Sequence, residues 1–504
     1  MQRTSGRANR TQLAASVGPH HLVRLLGDWS GTNGVLHADL AEAVRRLVQA
    51  GRLPSGVRMP SERSLSAALN VSRNTIGAAF DSLRGQGILT SRQGDGTYVS
   101  TGWTSANPRG DDRLQSFVGG QDAADASEVT RVDLRSAALP GLPIVADEVD
   151  RLTGKNMMHL IDSHGYAPAG LPVLREEIAA YYSDLGLPTR PAQVLVTSGA
   201  QQALRLAASS LLARGATVLI EEPSFRGAIE SLRALGARLV PLPRTGRGAW
   251  VRETEALIER TRASLIVVQS TVHNPTGLIM EPWQRKALAE MSSGLGVPVI
   301  DDATLSDTTI GEAPPIPLPA FGGYVIAVGS FSKSFWGGLR VGWLRADVAT
   351  VERLASIKTG EDLGTSLLAQ AVAAALLPQI VSSRHLRSES LYEARQAAMA
   401  AVAEYLPEWR PITPSGGASL WIELPDACAT SFATVAGRDG IRLLPGPTFS
   451  CVNELDNFIR ISYAGPIAGT TEAIRSLGQS WERFRRSPAH HAGGSTIAEL
   501  DLTR

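Results

Sequence analysis

Ser330-Phe331-Ser332-Lys333-Ser334-Phe335-Trp336-Gly337-Gly338-Leu339-Arg340 follows the apolar run Tyr324-Val325-Ile326-Ala327-Val328. The run reads as a buried strand, and the stretch after it places a lysine at the strand's mouth among hydroxyls, with an arginine beyond a glycine turn. A lysine amine condenses with a carbonyl group once burial or nearby charge lowers its pKa, and Ser330, Ser332 and Arg340 offer donors and positive charge to phosphate oxygens. The stretch therefore suits a carbonyl cofactor that carries a phosphate, with Lys333 as the reacting amine. Read alone it describes a solvated loop lysine better, because that is where lysines usually lie.

Two further segments change the balance. Val194-Leu195-Val196-Thr197-Ser198-Gly199-Ala200-Gln201 reads as a short strand, a tight turn and a helix start, whose free backbone N–H groups make a phosphate cradle. Leu265 to Gln269 is a buried strand, and the chain after it ends in the turn His273-Asn274-Pro275-Thr276-Gly277, which presents one amide side chain. In this order the three segments resemble fold-type I pyridoxal-phosphate enzymes, the aspartate aminotransferase-like group, over roughly Val132 to Phe484.

The resemblance implies pyridoxal 5'-phosphate as cofactor, with Lys333 its catalytic partner and Ser198, Gly199, Ala200, Gln201, Ser330, Ser332 and Arg340 around its phosphate. Phe225, in Glu221-Glu222-Pro223-Ser224-Phe225, stands where the family stacks an aromatic ring on the pyridine, and Asn274 where it holds the phenolic oxygen. Tyr166 is expected either to reach a neighbouring cofactor's phosphate across a dimer interface or to pack on its own turn. A carboxylate is needed opposite the pyridine nitrogen. The aminotransferase spacing selects Asp301 and the regulator relatives select Asp302; strand alternation lets only one face the ring, and the reading leans to Asp302. Thr304 replaces the usual tyrosine and Phe225 also lacks a hydroxyl, so the pocket is poorer in hydroxyls. Arg460, on the apolar run Phe458-Ile459-Arg460-Ile461, needs a partner if buried, and the resemblance assigns it the carboxylate of a substrate or effector.

Strand-like runs at Thr217–Ile220, Arg238–Leu242, Leu265–Gln269, Pro298–Asp302 and Val325–Gly329 alternate with helical ones, which predicts a mostly parallel α/β sheet with ligands at the strands' carboxyl ends and a smaller C-terminal subdomain. The 504 residues are 43% hydrophobic and 19% charged, enough to bury large cores. A net charge of +1 means that any nucleic-acid binding rests on a local basic patch. Cys428 and Cys451 make neither a disulfide framework nor a metal site, no uninterrupted apolar segment reaches membrane-spanning length, and a reduced cytoplasmic location is the default.

Ahead of this region, Leu36, Leu40, Val44, Leu47 and Val48 recur at helical spacing and Gly51 stops the helix. A second helix, capped by Ser61, ends at the Asn70-Val71 turn, and a third runs from Ser72 to about Arg84. Ile88–Ser91 and Thr97–Ser100, joined by Arg92-Gln93-Gly94-Asp95-Gly96, form a hairpin. Met59-Pro60-Ser61-Glu62-Arg63, Val71-Ser72-Arg73-Asn74-Thr75 and Gly94-Asp95-Gly96-Thr97-Tyr98-Val99 resemble the GntR family of winged-helix DNA-binding domains. The resemblance implies contacts to double-stranded operator DNA from Arg63, Ser72, Arg73, Asn74 and Thr75, and from Gln93 and Gly94 at the wing; Gly77 stands where some relatives carry a basic residue.

The expected organisation is a polar tail over 1–19, the winged helix over 20–100, a linker over 101–130, the aminotransferase-like domain over 131–486 and a second tail over 487–504. This fusion resembles the MocR group of bacterial transcription regulators. It implies a homodimeric, pyridoxal-phosphate-dependent DNA-binding regulator, without membrane attachment, that senses the cofactor, an amine or an amino acid. The alternative is an active aminotransferase with an appended DNA-binding domain, and a third possibility is a scaffold in which Lys333 is idle.

Overall fold

A computed structural model describes residues 16–27, 29, 36–49, 52–53, 57–85, 88–92, 96–100, 132–152, 158, 160–243, 250–311 and 313–486. The linker, residues 1–15 of the expected first tail, the second tail and the wing tip at Gln93 and Gly94 lie outside the described residues, whereas Ser16 bridges Arg58 and Pro19 begins a helix. The chain forms two compact units, one of Met1–Asp133 with Thr430–Arg442 and Gln479–Arg504, the other of Leu134–Ala429 with Leu443–Gly478.

In the first unit, helices α1 (Pro19–Leu26), α2 (Leu36–Gln49), α3 (Glu62–Leu69) and α4 (Arg73–Gly85) enclose a core that includes Leu40, Val44, Leu65, Ile76, Phe80 and Leu83. The helix starts and the turn are local chemistry. Ser61 Oγ accepts the Ser64 amide at 3.1 Å, and Ser72 Oγ accepts that of Thr75 at 3.1 Å. Asn70 closes α3 at φ 51°, a left-handed conformation that asparagine tolerates. Strands β1 (Leu89–Arg92) and β2 (Gly96–Val99) pair antiparallel, Leu89 opposite Val99, as the expected hairpin wing. Met59 N adds to it by donating to Thr97 O at 2.8 Å. Strand β3 (Val132–Asp133) pairs in parallel with Ile441–Arg442.

The second unit begins with α5 (Pro143–Arg151) and α6 (Pro172–Asp184). It then alternates β4 (Val194–Thr197), α7 (Ala200–Leu211), β5 (Thr217–Glu222), α8 (Arg226–Ala234), β6 (Arg238–Pro243), α9 (Trp250–Thr261), β7 (Leu265–Val268), α10 (Pro282–Leu295) and β8 (Val299–Asp302). Strands β9 (Val325–Ser330) and β10 (Gly342–Arg345) complete a seven-stranded sheet of order β4-β10-β9-β8-β7-β5-β6. Strands β5 to β9 run parallel to one another, while β10 is antiparallel to both β4 and β9. Both faces are covered: Leu195, Ile220, Val267, Ile300 and Val328 pack with α7 and α8, whereas Val196, Ala327 and Trp343 pack with α6. Two buried faces explain why the strands read as continuous apolar runs.

Helices α11 (Val348–Thr359), α12 (Leu367–Leu376) and α13 (Ile380–Tyr405) lead to β11 (Arg410–Ile412) and β12 (Ser419–Glu423). After α14 (Ala429–Arg438) and β13 (Ile441–Arg442) come β14 (Leu444–Pro445), β15 (Phe458–Ser462) and α15 (Ile467–Arg486). A four-stranded antiparallel sheet of order β11-β12-β15-β14 sets Arg460 opposite Trp421 on one side and Leu444 on the other. The helical stretch Leu367–Tyr405 is long and apolar enough, by length and composition, to cross a membrane, although polar residues such as Gln370, Gln379 and Arg384 interrupt it. Its apolarity has a core reason, since Val372, Ala373, Leu376, Leu377 and Ile380 pack against α6.

Candidate functional site

Strand β9 ends at Ser330, and the chain turns through one wide helical turn, Ser332–Trp336, that carries Lys333. Lys333 Nζ donates to the Ala137 carbonyl at 2.9 Å. Burial, then the charges of Arg460 and Arg387, push its amine down to about 8, the direction that a nucleophilic amine requires. Ser330 Oγ donates to Ser332 Oγ at 2.8 Å and accepts the Ser332 amide at 3.0 Å. Arg340, at φ 53°, turns its guanidinium to the Ser198 carbonyl at 2.9 Å. Gly199 is required there: it has φ 111°, and a Cβ on it would sit 2.7 Å from Arg340 Nη2. The first-turn amides of α7, Ala200 and Gln201 among them, thus open beside Arg340 with no intrahelical acceptors.

One cradle donor is corrected. The Ser198 amide is not free, because Gln202 Oε1 accepts it at 2.7 Å. Gln202 is aimed by Asp362 Oδ2 at 2.7 Å, and Asp362 also accepts the Gly364 amide at 3.0 Å and the buried Lys358 ammonium. Ser198 keeps its hydroxyl, 3.4 Å from Thr365 Oγ1. Sequence reading missed this brace, since Asp362 lies 160 residues from Gln202.

The two aspartates separate. Asp301 is spent on the Ser270 amide at 2.9 Å and hydroxyl at 2.7 Å, and lines a pocket with Tyr181, Tyr182, Asp307 and Trp343. Burial pushes it up to about 7. Asp302 receives Gln269 Nε2 at 3.2 Å, and Gln269 Oε1 accepts the Asn274 amide at 3.0 Å, so Asp302 belongs with Asn274. Burial raises Asp302 as well, against hydrogen bonds from Thr304 and Gln269. Thr304 turns back on this carboxylate with both its amide, at 3.1 Å, and its hydroxyl. The threonine thus orients an acid where a tyrosine would reach the cofactor. Gln269, absent from the sequence-derived site, had one signal: it ends the β7 run that leads to Asn274.

Phe225 caps α8, and a Cβ on Gly227 would lie 2.5 Å from its ring and 3.4 Å from Gln201 Nε2, which places ring and cradle together. Arg460 is 6% exposed; its Nη1 donates to Asn274 Oδ1 at 3.0 Å, its Nη2 to the Arg135 carbonyl, and its Cζ lies 4.8 Å from the Phe449 ring centroid. Its Nε has no partner among the described residues, and burial, then Arg226, pushes it down to about 10. Tyr166 is 60% exposed and stacks on His164 at 5.8 Å.

In the first unit, Arg63, Ser72, Arg73 and Asn74 are exposed and Thr75 is half-buried. The Ser72 and Thr75 hydroxyls lie 2.9 Å apart, so the start of α4 is locally closed and Arg73 and Asn74 project from its first turn. A Cβ on Gly77 would lie 3.7 Å from Glu62 Oε2, a position where a basic side chain would meet an acid.

A lysine and a helix-start cradle at strand ends of the mostly parallel sheet, met by a buried arginine from the antiparallel sheet, define an aminotransferase-like site, and the exposed helix with its wing defines a DNA-binding head. Residues 159–477 match the family described as aminotransferase class I and II, and residues 36–99 match bacterial regulatory proteins, gntR family. The chain belongs to the aminotransferase class I and II family, in the MocR-type arrangement in which a gntR-family winged helix precedes that domain. It is 28% identical to the HTH-type transcriptional regulator YdfD of Bacillus subtilis over 85% of this chain and 92% of that protein. It is 30% identical to the probable rhizopine catabolism regulatory protein MocR of Rhizobium meliloti, over 75% and 79%. Among solved structures, the α-aminoadipate aminotransferase LysN of Thermus thermophilus, complexed with N-(5'-phosphopyridoxyl)-L-leucine, superposes with a TM-score of 0.63 at 29% identity, over 72% of this chain and 96% of that one.

Proposed function

We propose that this chain is a DNA-binding transcriptional regulator whose aminotransferase-like unit binds pyridoxal 5'-phosphate and responds to the cofactor, an amine or an amino acid. The observation that carries the reading is the convergence of Lys333, the Gly199–Arg340 cradle and the buried guanidinium of Arg460 in a chain that also has a winged helix. The residues fit the group: the cradle leaves room only for a glycine, and Arg460 Nε lacks an acceptor among the described residues. Bound there, pyridoxal phosphate supplies an aldehyde that joins to amines and a ring that withdraws electrons.

The chain's own residues divide the work. Arg340 and the first turn of α7 hold phosphate, Phe225 stacks, Asn274 binds the phenolic oxygen, and Asp302, aimed by Gln269 and Thr304, faces the ring nitrogen. Lys333, with its lowered basicity, provides the amine, and Arg460 receives a ligand carboxylate. A homodimer would bring two winged helices to operator DNA and lend Tyr166 to a neighbouring site; the regulator reading puts the protein in the cytoplasm. A ligand alters DNA affinity only through different free energies of binding to two arrangements of the heads, and the coupling is reciprocal. Turnover as an aminotransferase is the second reading, favoured by the presence of Lys333, Asn274, Asp302 and Arg460 together.

Absorbance of the purified protein, operator affinity and turnover, each followed with and without amines, test the two readings. A ligand that shifts both spectrum and DNA affinity supports the regulator. Turnover with unchanged DNA affinity for every ligand that shifts the spectrum puts the enzyme first.

A further inference from the structure

Helix α13 carries two arginines one turn apart, Arg384 and Arg387, and the second reaches the turn that bears Lys333. Arg384 has a carboxylate: its Nε donates to Asp307 at 2.7 Å. Arg387, 4% exposed, has carbonyls instead: Nη2 donates to Pro140 O and to Phe335 O at 2.7 Å each, and Nε approaches Ser334 O at 3.4 Å. Burying a guanidinium without an anion is costly, and burial pushes Arg387 down to about 10. Its partners fall on two segments. Ser334 and Phe335 follow Lys333 directly, whereas Pro140 belongs to a strap, Leu134 to Leu142.

The strap is pinned at one end where Ser462 N donates to Leu134 O at 3.0 Å, and at the other where Leu142 N donates to Phe335 O at 3.2 Å. Between the pins, two carbonyls meet the two functional cations: Arg135 O accepts Arg460, and Ala137 O accepts Lys333 at 2.9 Å. We propose that Arg387 is a positioning residue that clamps the Leu134–Leu142 strap to the turn carrying Lys333, so that strap carbonyls hold Lys333 and Arg460 aimed until a ligand takes them. This rests on the reading of Lys333 as the amine that meets the cofactor. The charges bearing on that amine are Arg460 on β15 and Arg387 on α13, both positive, and both favour its neutral form. Arg387 therefore acts twice, through geometry and through charge.

The test uses the full chain, wild type, Arg387→Met and Arg387→Lys, with folding checked by thermal melting. Each is treated with pyridoxal 5'-phosphate across a pH series and fixed with borohydride, and the label on Lys333 is counted by peptide mass spectrometry. Removing the charge in Arg387→Met raises the pH midpoint of labelling by roughly half a unit, so labelling near neutral pH slows about threefold from charge alone. Arg387→Lys keeps the charge but loses the fork, so its midpoint stays near wild type while its rate falls severalfold. A folded Met variant with the wild-type midpoint and rate, or a Lys variant with the wild-type rate, overturns the clamp. Wild-type protein that takes no label on Lys333 instead overturns the cofactor reading, and the clamp with it.

Discussion

Arg460→Met is expected to move folding stability and ligand affinity in opposite directions. Among the described residues the buried guanidinium has Asn274 Oδ1 and the Arg135 carbonyl as acceptors and none at Nε. A base whose pKa falls from 12.5 to about 10 on folding destabilises the fold at neutral pH, a penalty relieved only as pH rises past about 10. That displacement corresponds to roughly 3 kcal/mol. Methionine removes the charge and leaves two acceptors without a donor, at about 1 kcal/mol each, so the variant should gain about 1 kcal/mol. A carboxylate ligand, in contrast, loses its buried partner, which costs at least about 2 kcal/mol, or roughly thirtyfold in affinity. Thermal melting of the ligand-free protein reads the first effect. Spectral titration of the cofactor-loaded protein with amino acids, each beside its decarboxylated amine, reads the second. A variant that melts several degrees lower, or that loses amino acid and amine affinity equally, refutes the assignment of Arg460 to a carboxylate.

Lys333→Ala should abolish the borohydride-fixed label, while Lys358, buried and paired with Asp362, stays unlabelled in wild type; label on Lys358 removes Lys333 from its role. Asp301, raised to about 7, weakens the fold as pH rises from about 4 to about 7. Asp301→Asn should therefore melt higher than wild type at pH 8 and alike at pH 4, with cofactor retained, whereas Asp302→Asn should weaken cofactor retention; the reverse pattern reassigns the ring partner. Arg63→Ala and Arg73→Ala should weaken operator binding with the cofactor spectrum intact, a lost phosphate contact lowering the salt slope by about one unit. Unchanged binding in both variants removes α4 as the reading helix.

Short-range chemistry writes the helix and strand runs, Ser61 and Ser72 at helix starts, the glycine at the cradle and the order of motifs along the chain, and these were legible before folding. Buried strands between helices announce themselves by continuous apolar runs, and the wing by its glycine-flanked hairpin. Only the tertiary structure decided between Asp301 and Asp302 as the residue joined to Asn274, because adjacent strand residues differ by the face they present and not by their chemistry. It also decided that Gln202 consumes the Ser198 amide, that Thr304 turns to Asp302, and that Ala137, Arg135 and Arg387 surround Lys333 and Arg460. Those contacts join residues such as Lys333 and Ala137, 196 apart in the chain, and in part through backbone carbonyls. A carbonyl is present at every residue, so no pattern of side chains in the sequence can announce which one a folded chain will use.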